Sequence, residues 1–245
     1  MGVASVYITR AHDLILLIDG SESVGAANFP LISDLAVQVI EGLAVGRDAI
    51  RVTLVLYGAD PEIQFYLNSY DNKESVLGAL RGLEYPGGTE SNLGAALEEV
   101  VDSLLGQDAG GRAAEGVPQA LVVISAGEST DDVSQGERAL KQASVYTFGI
   151  AAGDSATAQL EAIATDKSFV LSAPDVRTVA SMCGSRQTKA GYISVLIGCS
   201  AATAVSEPRE NVSLSVSLVK LLTVKMGVAS VYNEGSQAEY LVFVV

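Results

Sequence analysis

The sequence has few of the residues from which cross-links, metal clusters and nucleic-acid-binding surfaces are built. Its 245 residues include two cysteines, one histidine and no tryptophan, which argues against a disulfide scaffold, a zinc ribbon or a multi-histidine metal centre. Only 15 Lys and Arg stand against 29 Asp and Glu. The net charge of −14 argues against non-specific binding to nucleic acid or anionic membrane. No apolar run reaches the roughly 20 residues of a membrane span.

Motifs of the common catalytic sites are also missing. The single histidine, His12, directly precedes the first predicted strand and is interpreted as a polar entry residue. No G-x-S-x-G nucleophile elbow, no G-x-x-x-x-G-K-[ST] loop and no G-x-G-x-x-G loop occurs. Serine and cysteine hydrolases that use a histidine base, and nucleotide-binding enzymes, therefore have no support in the sequence.

Alternating strand and helix patterns predict the fold. Hydrophobic residues make up 49% of the chain, which is enough for a full core. Predicted strands lie at 13–19, 50–57, 62–67, 120–124, 145–150 and 168–171, and predicted helices near 29–43, 71–83, 93–104, 132–142, 155–164 and from 174. This order predicts an α/β fold with a doubly wound, mostly parallel sheet, one antiparallel edge strand and helices on both faces.

Two loops carry oxygen ligands at metal-binding spacing. The D-x-S-x-S pattern of residues 19–23 directly follows a buried strand, and Gly87-Gly88-Thr89 precedes the most amphipathic helix. Carboxylate and hydroxyl oxygens suit a hard cation such as Mg²⁺. Alternatively, Asp19 and the hydroxyls only cap the turn through hydrogen bonds.

These motifs resemble the von Willebrand factor A family, over residues 12–182. Residues 62–70, residues 116–119 and the phrase Ser125–Ser129 followed by two aspartates are most similar to the amino-terminal A domains of type VI collagen, above all of its α3 chain. The resemblance implies a metal-ion-dependent adhesion site in a protein-binding module of the extracellular matrix. Its partners would be collagens and other A domains, within a larger multi-domain chain.

Transferred residue by residue, the resemblance implies that Asp19, Ser21, Ser23 and Thr89 are metal ligands. The third loop of the family supplies a further aspartate, but this sequence has Ala126 at that place. A methyl group neither coordinates a cation nor holds a coordinated water, and affinity follows the charge of the ligands. The sequence therefore predicts a degenerate site that binds Mg²⁺ weakly.

The carboxyl-terminal part differs from the rest. Residues 1–184 hold 10 basic and 25 acidic residues, whereas residues 185–245 hold 5 and 4. Residues 185–245 are predicted to be an extension of unknown structure, poorly ordered or packed without a role typical of the family. The heptapeptide Met-Gly-Val-Ala-Ser-Val-Tyr occurs at both 1–7 and 226–232, which is consistent with atypical splicing, a fusion scar or a faulty gene model.

Three residues in or next to this region bear on the cellular compartment. Asn211 begins the only N-x-[ST] glycosylation motif, which matters if the chain is secreted. Cys183 and Cys199 would pair only in an oxidising compartment, and sequence alone does not decide whether they do. No signal peptide is visible at the start, so the chain is either a fragment of a longer secreted protein or an intracellular A-domain protein. The collagen resemblance favours the first.

Two functions from different classes remain at this stage. The preferred one is a non-enzymatic adhesion module, and the alternative is a metal-dependent hydrolase that uses Asp19. The sequence places no lysine or arginine beside the motif to neutralise a phosphate, which favours adhesion. Two further segments are interpreted as structural: Gly110-Gly111-Arg112 as a flexible surface connection, and Asp131, Asp132 and Glu137 as the solvated start of a helix.

Overall fold

The computed structural model describes residues 11–183, 228–231 and 240–243. The chain divides into two units, residues 1–201 and residues 202–245.

The described strands and helices of the first unit alternate along the chain, except that β3 follows β2 and α3 follows α2. The strands are β1 (His12–Asp19), β2 (Ile50–Tyr57), β3 (Pro61–Phe65), β4 (Gln119–Ser125), β5 (Tyr146–Ala152) and β6 (Val170–Ala173). The α-helices are α1 (Phe29–Glu41), α2 (Lys73–Arg81), α3 (Leu93–Glu99), α4 (Ser134–Gln142), α5 (Asp154–Ile163) and α6 (Val176–Cys183). All twelve correspond to elements predicted from the sequence.

The six strands form one sheet in the order β3-β2-β1-β4-β5-β6. All neighbouring pairs are parallel except β2 and β3, which are antiparallel, so β3 is an antiparallel edge strand. The predicted fold class is therefore confirmed. The chain turns to opposite sides after β1 and after β4, so a crevice opens between the carboxyl ends of these two strands, where ligands bind in such sheets.

Both faces of the sheet are covered by helices. On one face, Leu14, Leu16 and Ile18 of β1 join a core with residues of α1, α2 and α6. On the other face, Ile15 and Leu17 join a core with residues of α3, α4 and α5. Because successive side chains of a strand alternate between faces, a central strand buried on both sides is apolar on both faces, as Leu14–Ile18 of β1 are.

Local details differ from the predictions at several element boundaries, and the helix predicted at 93–104 is α3 followed directly by a π-helix over Val100–Leu104. Helix α2 is capped by Asn72, whose Oδ1 accepts a 2.9 Å hydrogen bond from the Ser75 N–H, so the helix begins two residues after the predicted position 71. Strand β6 begins only at Val170, because Asp166 caps a short 3₁₀ turn over Lys167–Phe169.

The interpretation of Gly110-Gly111-Arg112 as a flexible surface connection is wrong. Arg112 is buried, and its Nε donates to Asp13 Oδ1 at 2.8 Å while its backbone N–H donates to Asp13 Oδ2 at 2.6 Å. Its Nη2 donates to the carbonyls of His12 and Ala49, both at 2.8 Å. A buried carboxylate is costly unless it is hydrogen-bonded and its charge is paired, and this loop supplies both a cation and a backbone N–H at the amino end of β1.

In the second unit, the described residues form one two-stranded antiparallel sheet of β7 (Val228–Val231) and β8 (Tyr240–Phe243). The rest of the predicted extension, including Asn211 and Cys199, lies outside the described residues. Within the part of the chain that the structure describes, no helix is both long enough and apolar enough to cross a membrane.

Candidate functional site

Three loops meet at the carboxyl ends of β1 and β4. We name them the first loop (residues 20–28), the second loop (82–92) and the third loop (126–133), and together the rim. The register that pairs Ile18 with Ile124 places Asp19 and Ser125 side by side at the ends of their strands. The rim therefore lies over the crevice between β1 and β4, where the fold favours ligand binding.

Asp19 is fully buried at the base of the rim. Its Oδ1 accepts from the Ser21 N–H at 2.9 Å, and its Oδ2 faces the Ser125 hydroxyl at 3.3 Å and the Ala126 N–H at 3.4 Å. Among the described residues no basic side chain forms an ion pair with Asp19. The carboxylate is thus held by neutral donors alone, an arrangement that leaves its negative charge uncompensated.

The two serines of the D-x-S-x-S pattern have different surroundings. Ser21 is fully buried, and its Oγ accepts from the Ser23 N–H at 3.3 Å. Ser23 is exposed and lies directly against the third loop. A Cβ added to Gly127 would come within 2.5 Å of the Ser23 Oγ. Glycine at position 127 therefore permits the close approach of the first and third loops.

The second loop is joined to the first by main-chain hydrogen bonds. The Gly87 N–H donates to the Gly20 carbonyl at 3.1 Å, and the Glu22 N–H donates to the Gly88 carbonyl at 2.8 Å. Gly87 and Gly88 have φ angles of 74° and 105°, which favour glycine. Thr89 follows directly and is exposed. The structure thus brings the second loop to the D-x-S-x-S turn and leaves Thr89 at its tip.

Position 126 lies where the third loop passes Asp19, but it contributes no side-chain ligand. Its backbone N–H faces Asp19 Oδ2, and the alanine is half-buried. Glu128, the next acidic residue, is exposed. Within the described ranges, no group of three or more His, Cys, Asp or Glu side chains is placed to hold a metal ion. One carboxylate and several hydroxyls match a hard cation in ligand type, but they supply only one negative charge.

Comparison with known families agrees with this geometry. Residues 13–183 match the sequence profile of the von Willebrand factor type A domain. The chain belongs to this family.

The related A-domain proteins are components of the extracellular matrix. The chain is 35% identical over 156 residues to the collagen alpha-1(XX) chain of Mus musculus, an alignment that covers 62% of this chain and 11% of that protein. It is 38% identical over 124 residues to the collagen alpha-4(VI) chain of Mus musculus, covering 50% and 5%. It is 31% identical over 206 residues to Homo sapiens matrilin-4, covering 82% and 32%. The chain therefore spans a small part of each of these relatives.

Solved structures share the A-domain fold. Proximal thread matrix protein 1 from the mussel byssus superimposes with a TM-score of 0.69 at 18% identity, over 78% of this chain and 48% of that one. A second structure of the same protein, described as having a zinc-occupied MIDAS motif, gives a TM-score of 0.67 at 19% identity over the same shares. At this level of identity the likeness concerns the fold.

The acidic residues of the third loop do not all serve the helix that follows them, so the interpretation of Asp131 as part of a solvated helix start is wrong. Asp132 accepts from the Ser134 N–H at 2.9 Å, and hydrogen bonds from Ser134 lower the pKa of Asp132. Asp131 instead accepts from the N–H groups of Gly94 and Ala95, both at 2.8 Å. It therefore caps α3, the helix of the preceding part of the chain.

Beneath the rim of the A domain lies a layer of buried hydroxyls that the sequence patterns did not reveal. Tyr57 Oη and Ser91 Oγ are both buried and make no hydrogen bond with any described residue. Burial raises the pKa of the Tyr57 phenol well above its usual value, and the Asp19 carboxylate raises it further, while the nearby hydroxyls of Ser125 and Ser91 oppose this. The only available signal was a tyrosine at the end of a strand, directly after the aliphatic run Leu54–Leu56.

The exposed charges of the rim are all negative. None of the three rim loops contains a lysine or an arginine. Glu22, Glu84, Glu90 and Glu128 are exposed. The rim therefore offers carboxylates and hydroxyls to a partner, and no cationic group that would stabilise a transferring phosphoryl group.

Proposed function

We propose that this chain is a non-enzymatic protein-binding module of an extracellular-matrix protein, and that it binds through the rim. The observation that carries the proposal is the convergence of three loops around Asp19, a fully buried carboxylate without a cationic partner among the described residues. A fold with a packed core does not require such a group at a strand end. Relatives among collagens and matrilins support the matrix setting and the partner class, which is other matrix proteins.

The rim would carry a degenerate metal-ion-dependent adhesion site. Asp19, Ser21, Ser23 and Thr89 would hold Mg²⁺, and the ion, when bound, would offer an open coordination position to an oxygen ligand of the partner. Ala126 removes the second carboxylate, so the affinity for Mg²⁺ should be low. The zinc-occupied motif of the mussel protein supports divalent-metal ancestry of this position in the fold.

The absence of cationic side chains from the rim supports binding over hydrolysis. A hydrolase acting on phosphate esters would place a second carboxylate or a basic side chain near Asp19. The side chain at 126 is a methyl group, and Asp131 is engaged by α3. With p-nitrophenyl phosphate and either Mg²⁺ or Mn²⁺, we therefore expect no turnover above that of the Asp19→Ala variant. Turnover that Asp19→Ala abolishes would make the chain a hydrolase and overturn the proposal.

Partner binding is tested with the whole chain on immobilised fibrillar collagen and on immobilised recombinant matrilin A domains. Glu22→Lys reverses a charge at the exposed first loop and should weaken binding to a matrix partner about tenfold. Glu115→Lys makes the same charge change on an exposed turn before β4, at the opposite edge of the sheet, and should leave binding unchanged. Equal losses in both variants, or no binding to either surface, would count against the rim.

The metal site is tested by restoring the missing ligand. Titration calorimetry should detect weak binding of Mg²⁺ or none in the natural chain, and Ala126→Asp should raise the affinity at least about tenfold. Ala126→Asn is the matched control, because it adds a side chain of similar size without charge. If Ala126→Asp and Ala126→Asn bind Mg²⁺ equally, the transfer of the metal-site residues to this chain is wrong.

A further inference from the structure

A set of side chains links the third loop to the second loop and to the start of α3. Asp131 Oδ1 accepts from the Gly94 N–H and its Oδ2 accepts from the Ala95 N–H, both at 2.8 Å. These are two of the helix N–H groups that have no partner within α3. The carboxylate is half-buried and receives a further, short hydrogen bond from the Ser129 hydroxyl, so its position is fixed from two sides.

The neighbouring residues of the third loop bind Leu93, the first residue of α3, and Ser91, two residues before it. The Ser129 hydroxyl accepts from the Leu93 N–H at 3.0 Å and also lies 2.9 Å from the Ser91 carbonyl oxygen. The Thr130 N–H donates to the same Ser91 carbonyl at 2.8 Å, and Thr130 Oγ1 accepts from the Ser91 N–H at 3.1 Å. Both main-chain polar groups of Ser91 are therefore held by the third loop.

The same stretch is fixed on its other side by the first loop, through the main-chain bonds from Gly87 to Gly20 and from Glu22 to Gly88. Only Thr89 and Glu90 lie between the two sets of anchors. The position of the exposed Thr89 is consequently determined by the first loop before it and by Ser129, Thr130 and Asp131 after it.

Space around this link is tight. A Cβ added to Gly94 would lie 2.3 Å from the Asp132 carbonyl oxygen and 2.9 Å from Asp131 Oδ2. The third loop and α3 are therefore in direct contact, and a change in one must move the other.

We infer that Asp131 is a positioning residue of the rim: by holding the start of α3 from the third loop, it sets where Thr89 stands relative to Asp19. The inference rests on the proposed function, because it gives Thr89 a role at the rim. Asp131 then serves the geometry of the rim and not the solvated start of α4. The second and third loops would consequently move together.

Asp132 provides a matched control. It is the adjacent residue and carries the same charge, but its carboxylate accepts from Ser134 at the start of α4. Asp131→Asn and Asp132→Asn therefore remove the same charge at neighbouring positions, and only the first removes an acceptor of α3. Ser129→Ala is a milder second variant, since it removes one hydroxyl of the link and leaves Asp131 in place.

The first experiment measures amide hydrogen exchange by NMR in the whole chain. A residue that only caps α3 would, when replaced, speed exchange at Gly94 and Ala95 alone. A positioning residue would also speed exchange at Gly87 and Glu22, whose N–H groups lie on the far side of Thr89. We expect about tenfold faster exchange at Gly87 and Glu22 in Asp131→Asn, a smaller increase in Ser129→Ala and no change in Asp132→Asn. Unchanged exchange at Gly87 and Glu22 in both Asp131→Asn and Ser129→Ala would overturn the inference.

The second experiment uses Mg²⁺ as the probe in the Ala126→Asp background. Adding Asp131→Asn should lower the affinity for Mg²⁺ about tenfold, and adding Asp132→Asn should change it less than about twofold. Equal affinities in the two double variants would contradict the positioning role. If Ala126→Asp itself binds no Mg²⁺, the proposed metal site is wrong, and the exchange experiment still decides the role of Asp131.

Discussion

Asp13 and Asp19 lie at the two ends of β1 and are both fully buried, yet their surroundings differ in charge. At the amino end, the Asp13 carboxylate meets the Arg112 guanidinium in an ion pair whose nearest oxygen–nitrogen distance is 2.8 Å. At the carboxyl end, the Asp19 carboxylate meets only a hydroxyl and two backbone N–H groups. The buried carboxylate charge of β1 is therefore neutralised by a cation at the amino end and is not neutralised at the carboxyl end.

This difference distinguishes a buried charged group that stabilises the fold from one that is available to a ligand. The buried ion pair with Arg112, which also satisfies backbone carbonyls, ties the loop before β4 to β1 and to the segment before β2, and it leaves no group for a ligand. A buried carboxylate held by neutral donors retains its capacity to attract a cation. Two equally buried aspartates of the same strand thus have different roles. Asp13 forms a structural ion pair at the amino end, and Asp19 is a candidate binding group at the carboxyl end.

The largest expected effect concerns the amino end. Arg112→Ala should lower the free energy of unfolding by about 3–5 kcal/mol, because it leaves Asp13 buried and unpaired and removes the donor to two carbonyls. Chemical denaturation measures the loss. Arg81→Ala, which breaks an ion pair with Glu41 whose side chains are both more than half exposed, should cost less than about 1 kcal/mol. Similar losses in the two variants would mean that the buried pair with Asp13 stabilises the fold no more than an exposed ion pair does.

A smaller effect is expected at the carboxyl end. Asp19→Asn keeps an acceptor for the Ser21 N–H and leaves no buried counter-charge, so it should cost only about 1 kcal/mol in the same denaturation experiment. Asp13→Asn, which leaves the Arg112 guanidinium buried without a counter-charge, should lower the free energy of unfolding several times more. If Asp19→Asn proves as destabilising as Asp13→Asn, then the two ends are alike and Asp19 is structural.

The smallest effect at neutral pH is expected for Tyr57→Phe. Because its buried hydroxyl makes no hydrogen bond with a described residue, its removal should change the free energy of unfolding by less than about 1 kcal/mol. The variant becomes informative in alkali. Burial raises the pKa of Tyr57 in the folded chain above the usual 10.0, so above pH 10 the unfolded chain releases the phenolic proton first.

Stability should therefore fall as pH rises above about 10, and it should fall less steeply in Tyr57→Phe, by up to about 1.4 kcal/mol per pH unit. Denaturation curves at pH 9 to 11.5 measure the difference. Tyr146→Phe is the control, because Tyr146 is 44% exposed and should not alter the slope. An equal slope in Tyr57→Phe and the natural chain would show that Tyr57 ionises normally.

The sequence predicted the strands well because buried parallel strands have a pattern that does not depend on distant residues. β1 is apolar on both faces, and the D-x-S-x-S pattern follows it directly. The order of the elements then indicated that β1 and β4 end at the same edge of the sheet, and the Gly87-Gly88-Thr89 motif, through its resemblance to the A-domain family, added the second loop.

The two misinterpreted segments, at Arg112 and at Asp131, share a physical cause, which is pairing over long sequence separation. Arg112 pairs with Asp13, 99 residues away in the sequence, and Asp131 accepts hydrogen bonds from the α3 backbone, 37 residues away. Neighbouring residues suggest a different role in both cases: glycines beside an arginine suggest a loop, and an aspartate before a helix suggests that helix's own cap. The clue was Asp13 itself, since a charge in a buried strand requires a partner, although its position alone does not identify which cation.

Two of the hydrogen bonds between the first and second loops use only main-chain atoms, from Gly87 to Gly20 and from Glu22 to Gly88, and a third runs from the Tyr85 hydroxyl at the base of the second loop to the Ser21 carbonyl. No side chain at the tips is needed to keep that pairing. Ser23 and Thr89 can accordingly be exchanged during evolution while the frame beneath them stays in register. Proteins with this main-chain frame can therefore change their binding specificity by substitutions at a few exposed positions while the fold stays the same.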